Sequence, residues 1–195
     1  MSKGKFIAIE GIDKSGKTTL ANLLSLKLTE AGIENVVTRE PWHPLITQVI
    51  NETTSEGVDG HAEALLFAAD RLLHVKRLIS LELEKGKWVI SDRYVYSSIA
   101  YQTARGAEKD WVMEINKYAI TPDLTILLDI DPREAEIRSG DGRLRALEDR
   151  VFAERIRSIY LELAGNYGFL VLDASKKPES LVELVFLELK KRRWV

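Results

Sequence analysis

Cysteine is missing from all 195 residues, which excludes disulfides, thiolate catalysis and cysteine-based metal sites. Histidine is scarce. His43, His61 and His74 stand too far apart to make a close-spaced ligand pair, so each reads as a surface or packing residue. Long apolar runs are missing as well. The opening stretch MSKGKFIAIEG holds a short apolar run stopped by Glu10, too short for a signal-peptide core, and no later run reaches membrane-spanning length. A cytoplasmic protein with no membrane partner is expected. Charge of one sign is not in excess: 28 Lys and Arg against 30 Asp and Glu leave −2. That gives no overall pull toward a nucleic acid polymer, while a small anion met by a local cluster of cations stays open. Glutamine occurs only at Gln48 and Gln102, a scarcity that suits a heat-stable protein.

What is present is an alternation of apolar β-rich runs with helical patterns. FIAIE (Phe6 to Glu10), NVVTRE (Asn35 to Glu40), WVISD (Trp88 to Asp92), LTILLDI (Leu124 to Ile130) and FLVLDA (Phe169 to Ala174) read as strands. Helices are expected from Lys17 to Ala31, briefly after Pro44, from His61 to Lys85, from near Tyr94, around Asp110 to Tyr118, from Glu148 to Leu163 and from Pro178 to Lys191. Apolar strands separated by helices imply an α/β fold: a five-stranded parallel sheet covered by helices on both faces. The length suits one domain spanning 1–195. RSGDGRLR, Arg138 to Arg145, is the one polar, glycine-containing break; it reads as a flap near 138–147 rather than a boundary. The closing KKRRWV places cations where the last helix ends, which its dipole favours.

Gly11, Gly16, Lys17 and Thr18 fit G-x-x-x-x-G-K-[ST] directly after a strand and at the opening of a helix. Glycine lets backbone N–H groups turn toward phosphate, and the helix start adds positive potential. Lys17 can reach the outer phosphates, and Thr18 can ligate Mg²⁺. The run Gly11, Ile12, Asp13, Lys14, Ser15, Gly16, Lys17, Thr18 and Thr19 is therefore the candidate ATP site. Asp13 is unexpected there. A carboxylate would repel triphosphate, so it must face hydroxyl donors, an arginine or the metal. Lys14 is a second cation within reach of a bridge between donor and acceptor phosphates.

SDRYVYSSIAYQ opens at the carboxyl end of the third strand, the edge at which open α/β sheets bind ligands. Asp92 is placed to orient Mg²⁺ or its waters, Arg93 to grip phosphate, and Arg39 ends the neighbouring strand. In LLFAADR, Phe67 and Arg71 stand one helical turn apart and could stack and bond a base. From spacing alone the pair reads more simply as a core phenylalanine beside a surface arginine. No N-K-x-D guanine motif follows the later strands, which disfavours a GTP-binding switch. The residues alone leave open a kinase of another monophosphate or of a deoxynucleoside.

Taken in order, FIAIEGIDKSGKTT, TREP, LLFAADR, SDRYVYSSIAYQ, PDLTILLDI and LDAS resemble the thymidylate kinase family of P-loop nucleoside monophosphate kinases over essentially the whole chain. The resemblance implies a three-layer P-loop kinase fold, transfer of the γ-phosphate of ATP to dTMP with Mg²⁺, and a homodimer. It implies that Asp13 meets the acceptor sugar, that Phe67 stacks on thymine and Arg71 bonds its O4, and that Arg39 and Arg93 hold the acceptor phosphate. Ser98 and Gln102 would face the base edge, Tyr101 the deoxyribose, and Ser175 to Pro178 the adenine. The catalytic set would be Asp13, Lys14, Lys17, Arg93 and the flap arginines Arg143 and Arg145, with Thr18 and Asp92 toward the metal. Two features depart from the family pattern: Trp42 and His43 after TREP, and cations in both loop and flap.

Overall fold

In the computed structural model, which describes residues 4–55, 59–138 and 147–195, five strands make one sheet. They are β1 (Phe6–Glu10), β2 (Asn35–Arg39), β3 (Trp88–Asp92), β4 (Leu124–Asp129) and β5 (Leu170–Asp173). Their order across the sheet is β2-β3-β1-β4-β5, and every pair is parallel. The expected fold class is the observed one. Successive strand residues point to opposite faces, and this splits the core in two. Ile7 and Ile9 pack with Ile90 on one face, Phe6 and Ala8 with Val89 on the other. The first face is covered by α1 (Lys17–Glu30), whose Leu20, Leu24 and Leu28 are fully buried, together with α5 (Val95–Ala104), α8 (Leu147–Tyr167) and α9 (Pro178–Lys191). The second face is covered by Val75, Ile79 and Leu83.

Those three residues belong to the long helix expected from His61 to Lys85. It runs from α3 (Gly60–His74) through one π-helical turn (Val75–Ile79) into α4 (Ser80–Glu84). The wider turn inserts a residue and rephases the helix, so that α3 faces the sheet's carboxyl edge while α4 packs beneath the strands. α2 (Pro44–Ser55) follows Pro44 as expected. α6 (Lys109–Ile115) stops short of Tyr118, because the Asn116 amide turns back to Val112 O at 2.8 Å and accepts from Arg71. α7 (Pro132–Arg138) was not foreseen, although its start is legible: Pro at the first turn and Asp131 accepting the Arg133 N–H at 2.8 Å. Among the described residues no helix is long and apolar enough to cross a membrane.

His61, which looked like a bland surface residue, ties the start of α3 to that of α6. Its Nδ1 lies 2.6 Å from Asp59 and its Nε2 2.7 Å from Glu108. Hydrogen bonds to Glu108 and then Asp59 raise its pKa above 6.5, while bonding to His61 lowers Asp59 and Glu108 below 3.8 and 4.5. The imidazolium's share of stability is therefore full below its unfolded value and lost as pH rises through the raised one. The carboxylates' share is lost only as pH falls through their lowered values. His61→Gln should thus lower Tm more near pH 6 than near pH 9, by a small amount at this exposed site. Equal losses at both pH values in scanning calorimetry would show that the bridge does not operate.

Candidate active site

Parallel pairing brings three strand ends together. Ile9 lies opposite Asp92, and Asp92 opposite Arg39, so the loops after β1, β2 and β3 open on one edge. Gly11 takes φ +145°, and a Cβ there would stand 2.7 Å from Leu128 O and 2.8 Å from Ser15 Oγ; no side chain fits. Gly16 caps α1 at φ 98°. Between them Lys14 is held at φ 64°, a left-handed setting that non-glycine residues seldom adopt.

Lys17 folds into this cradle and donates to Ile12 O at 2.7 Å. Burial first, and the charge of Arg93 second, push its pKa down to about 7, against the pull of Asp92, Asp13 and Glu10. The ammonium thus bonds its own loop. Thr18 Oγ1 donates to Asp92 Oδ2, which joins the two residues expected at the metal.

Asp13 faces an arginine. Its carboxylate sits 2.5 Å from Arg93 Nη2, so Asp92 and Arg93 engage different partners rather than each other. Arg93, itself at φ 71°, also reaches Ser97 Oγ at 3.2 Å and Tyr101 Oη at 3.3 Å, and its guanidinium lies over the Tyr101 ring. Beneath it is Glu10, fully buried, which accepts the Tyr94 N–H at 3.0 Å, Ser97 Oγ at 2.6 Å and Tyr160 Oη at 3.1 Å. Burial raises the Glu10 carboxyl, with the Ser97 bond opposing. These contacts fix the turn that aims Arg93.

A cavity of about 410 Å³ at this edge gathers Lys14, Lys17, Arg39, Arg93 and Arg138 with Asp13 and Asp92. Beside it, about 440 Å³ is bounded by Lys14, Thr19, Arg138 and the Ser175–Pro178 loop. Arg138, at the end of α7, donates to Ala174 O at 2.6 Å. Arg143 and Arg145 lie outside the described residues.

On the other side of Asp13 and Arg93, a cavity of about 470 Å³ is lined by Phe67, Arg71, Ser98, Tyr101 and Gln102, with Glu40, Pro41, Glu63 and Arg105. The simple reading of Arg71 as a surface residue is corrected here: only 1% of it is exposed. A buried guanidinium needs several partners, and it has them. Nε and Nη2 lie 2.9 and 2.7 Å from Glu40 Oε2. Nη1 donates to Asn116 Oδ1 at 2.5 Å, and Nη2 to Ser98 Oγ at 3.0 Å and Tyr94 O at 3.2 Å. The other oxygen of Glu40 faces His74 Nδ1 at 3.1 Å, and His74 Nε2 faces Thr38 Oγ1 at 2.8 Å. Trp42 stacks on His74 at 5.3 Å. The N–H groups of Trp42 and His43 both bond Asp70 at 2.7 Å. The departure after TREP is therefore a loop pinned to α3, and it holds the cavity wall in place.

The described members of the sequence-based set, Gly11 and Ile12 excepted, line one or another of these three cavities. Glu10, Glu40 and Asn116 were missed as site residues. Glu40 stood in TREP, but its pairing with Arg71 leaves no mark in the sequence. A phosphate loop on the carboxyl edge of a parallel sheet, with one pocket beside its helix and a second pocket across Asp13 and Arg93, defines a P-loop phosphotransferase with room for two ligands. The thymidylate kinase family model matches residues 9–185. The probable thymidylate kinase of Pyrobaculum aerophilum is 46% identical over 179 residues, 90% of this chain and 91% of the relative. That of Staphylothermus marinus is 41% identical over 192 residues, 96% of each, and that of Thermococcus onnurineus 41% over 204 residues, 96% of this chain and all of the relative. The chain belongs to the thymidylate kinase family.

Proposed function

We propose that this protein transfers the γ-phosphoryl group of ATP to dTMP, giving dTDP and ADP. The observation that carries the reading is the meeting of two cavities at Asp13 and Arg93, one lined by the phosphate loop and the other by Phe67 and Arg71. ATP takes the loop from Gly11 to Thr19, with its base toward Ser175–Pro178. The thymine lies on Phe67, within reach of Arg71, Ser98 and Gln102, the sugar against Tyr101 and Asp13, and the phosphate on Arg39 and Arg93. The acceptor phosphate competes with Asp13 for Arg93, so that binding frees Asp13 for the sugar hydroxyl.

The acceptor is already an oxyanion and requires no general base. Catalysis is positioning plus neutralisation of charge by Lys17, Lys14 and arginines. Thr18 and Asp92 offer two hard oxygens beside the cradle, a partial set of the kind that suits Mg²⁺, which keeps waters and phosphate oxygens for the rest. That ion would neutralise charge on the β- and γ-phosphates. The chain acts as one domain whose flap near 138–147 excludes water on closing. A homodimer through the outer face of α2 and α3 is supported by exposed Leu45, Leu65 and Leu72; sedimentation at the 22.1 kDa monomer mass would remove it. A coupled assay with ATP, Mg²⁺ and a panel of monophosphates and nucleosides tests the activity. Nucleotide binding without turnover of dTMP, or a preference for an unphosphorylated nucleoside, overturns it.

Lys14 is held at φ 64° by the loop, so its charge is placed without a further ordering cost. Lys14→Ala should lower kcat about 10²–10³-fold with little change in the Kd of dTMP. Arg143→Ala and Arg145→Ala should act mainly on the KM for ATP. A large kcat loss in a flap variant, with almost none in Lys14→Ala, reverses the assignment.

A further inference from the structure

Arg93 has one exchangeable partner and one fixed one. Nη2 lies 2.5 Å from Asp13, the carboxylate with which an acceptor phosphate competes. Nη1 donates to Ser97 Oγ at 3.2 Å. Once Asp13 is displaced, the side chains that still hold the guanidinium among the described residues are Ser97 and Tyr101. Whatever fixes the Ser97 hydroxyl therefore fixes the arginine while it meets its ligand.

Three groups surround that hydroxyl. Ser97 Oγ lies 2.6 Å from Glu10 Oε2, 2.8 Å from Tyr160 Oη and 3.2 Å from Arg93 Nη1. A serine hydroxyl has one hydrogen and two lone pairs. A carboxylate only accepts and a guanidinium only donates, so Ser97 gives its hydrogen to Glu10 and accepts from Arg93. One lone pair remains, and it faces Tyr160. Tyr160 stands on α8, 63 residues further along the chain. It is 1% exposed and lines neither the loop cavity nor the acceptor cavity. Burial first, and the charge of Glu10 second, hold its hydroxyl well above the ordinary tyrosine pKa, so it keeps its hydrogen. That hydrogen has two acceptors within reach, Ser97 Oγ at 2.8 Å and Glu10 Oε2 at 3.1 Å. Every bonding position of Ser97 is then filled, and its rotor is locked.

Resting on the assignment of Arg93 to the acceptor phosphate, we propose that Tyr160 is a positioning residue for that arginine, acting through Ser97. Tyr160 touches no ligand. It sets the direction of the one hydroxyl that holds Nη1, on a residue whose backbone already sits at φ 71°. Asp13 is the counter-ion that the acceptor replaces, and the trio of Glu10, Ser97 and Tyr160 is the seat that stays. A guanidinium seated in advance loses less freedom when it grips a phosphate, and the gain goes to acceptor affinity.

Calorimetric binding of dTMP and of thymidine to the whole chain tests this, because only dTMP carries the phosphate that Arg93 holds. The wild-type protein should bind dTMP the more tightly. Tyr160→Phe keeps the ring and removes one hydroxyl. It should weaken dTMP about 3–10-fold, the range for one net hydrogen bond, and leave thymidine unchanged. Ser97→Ala removes the contact itself and should weaken dTMP by about 10-fold or more, the range for a bond to a charged group. In turnover, the loss in Tyr160→Phe should fall on the KM for dTMP and not on kcat or the KM for ATP. Equal losses for dTMP and thymidine, or no loss of dTMP affinity, would make Tyr160 a packing residue only. Should Tyr160→Phe melt early, Ser97→Ala decides: a dTMP loss no greater than its thymidine loss overturns the relay. Wild-type protein that binds thymidine as tightly as dTMP removes the assignment of Arg93 to the phosphate, and this inference with it.

Discussion

Replacing Lys17 by alanine should lower kcat roughly 10²–10³-fold, the loss typical of one preorganised charge contact at a transition state. Lys17 is buried in the cradle, with its ammonium on Ile12 O. A phosphate entering the loop offers the ammonium a stronger partner, because charge-assisted bonds to phosphate exceed those to a neutral carbonyl. Burial makes that interaction worth more than it would be in water. Its charge already sits inside the cradle, where negative charge would build on the transferring group. Lys17→Arg should not rescue: a planar fork is not a substitute for a compact point charge in a space closed by Gly11 and Gly16. The measurement is single-turnover phosphoryl transfer at saturating ATP and dTMP, with thermal melts to confirm the fold. A kcat within about threefold of wild type would place Lys17 outside the chemistry.

Arg71→Ala should have the second large effect, and on two observables. Its guanidinium is embedded with Glu40, which is 3% exposed and shared with His74. Deleting the cation leaves a buried carboxylate without its main partner, a change that typically costs about 3–5 kcal/mol. Urea denaturation should show a loss of that order. Glu40→Gln combined with Arg71→Met should recover much of it, since removing both charges relieves the unpaired one. The second observable is selectivity. Without a fixed donor opposite position 4 of the base, the dTMP:dCMP ratio of kcat/KM should fall by about 10-fold or more. The double variant separates the two effects, as it should regain stability but not selectivity. An unchanged dTMP:dCMP ratio in that stable double variant would mean that Arg71 supports the wall and does not read the base.

The fold and the phosphate loop were legible because they depend on local sequence. Apolar runs such as FIAIE and LTILLDI, short and set between helical patterns, read as strands buried on both faces, and the glycine spacing before Lys17 is a backbone requirement written within a few residues. Helix ends were legible where a cap or proline marked them, as at Pro178, and illegible where a tertiary contact set them, as at Asn116. The partners of charged side chains were not legible. Asp13 meets Arg93 across 80 residues of chain, and Glu40 meets Arg71 across 31. Spacing within a helix could not show that Arg71 points inward, because a guanidinium is buried only where other elements bring it acceptors. Sequence by itself determined the parallel α/β sheet, the anion cradle and the edge on which ligands gather. Tertiary structure alone decided which cations are occupied by carboxylates and which by their own loop. It also decided which buried polar atoms, such as Gln102 Oε1, stand without a hydrogen-bond partner among the described residues. Those are long-range pairings, and their free energy depends on desolvation and distance rather than on neighbours in the chain.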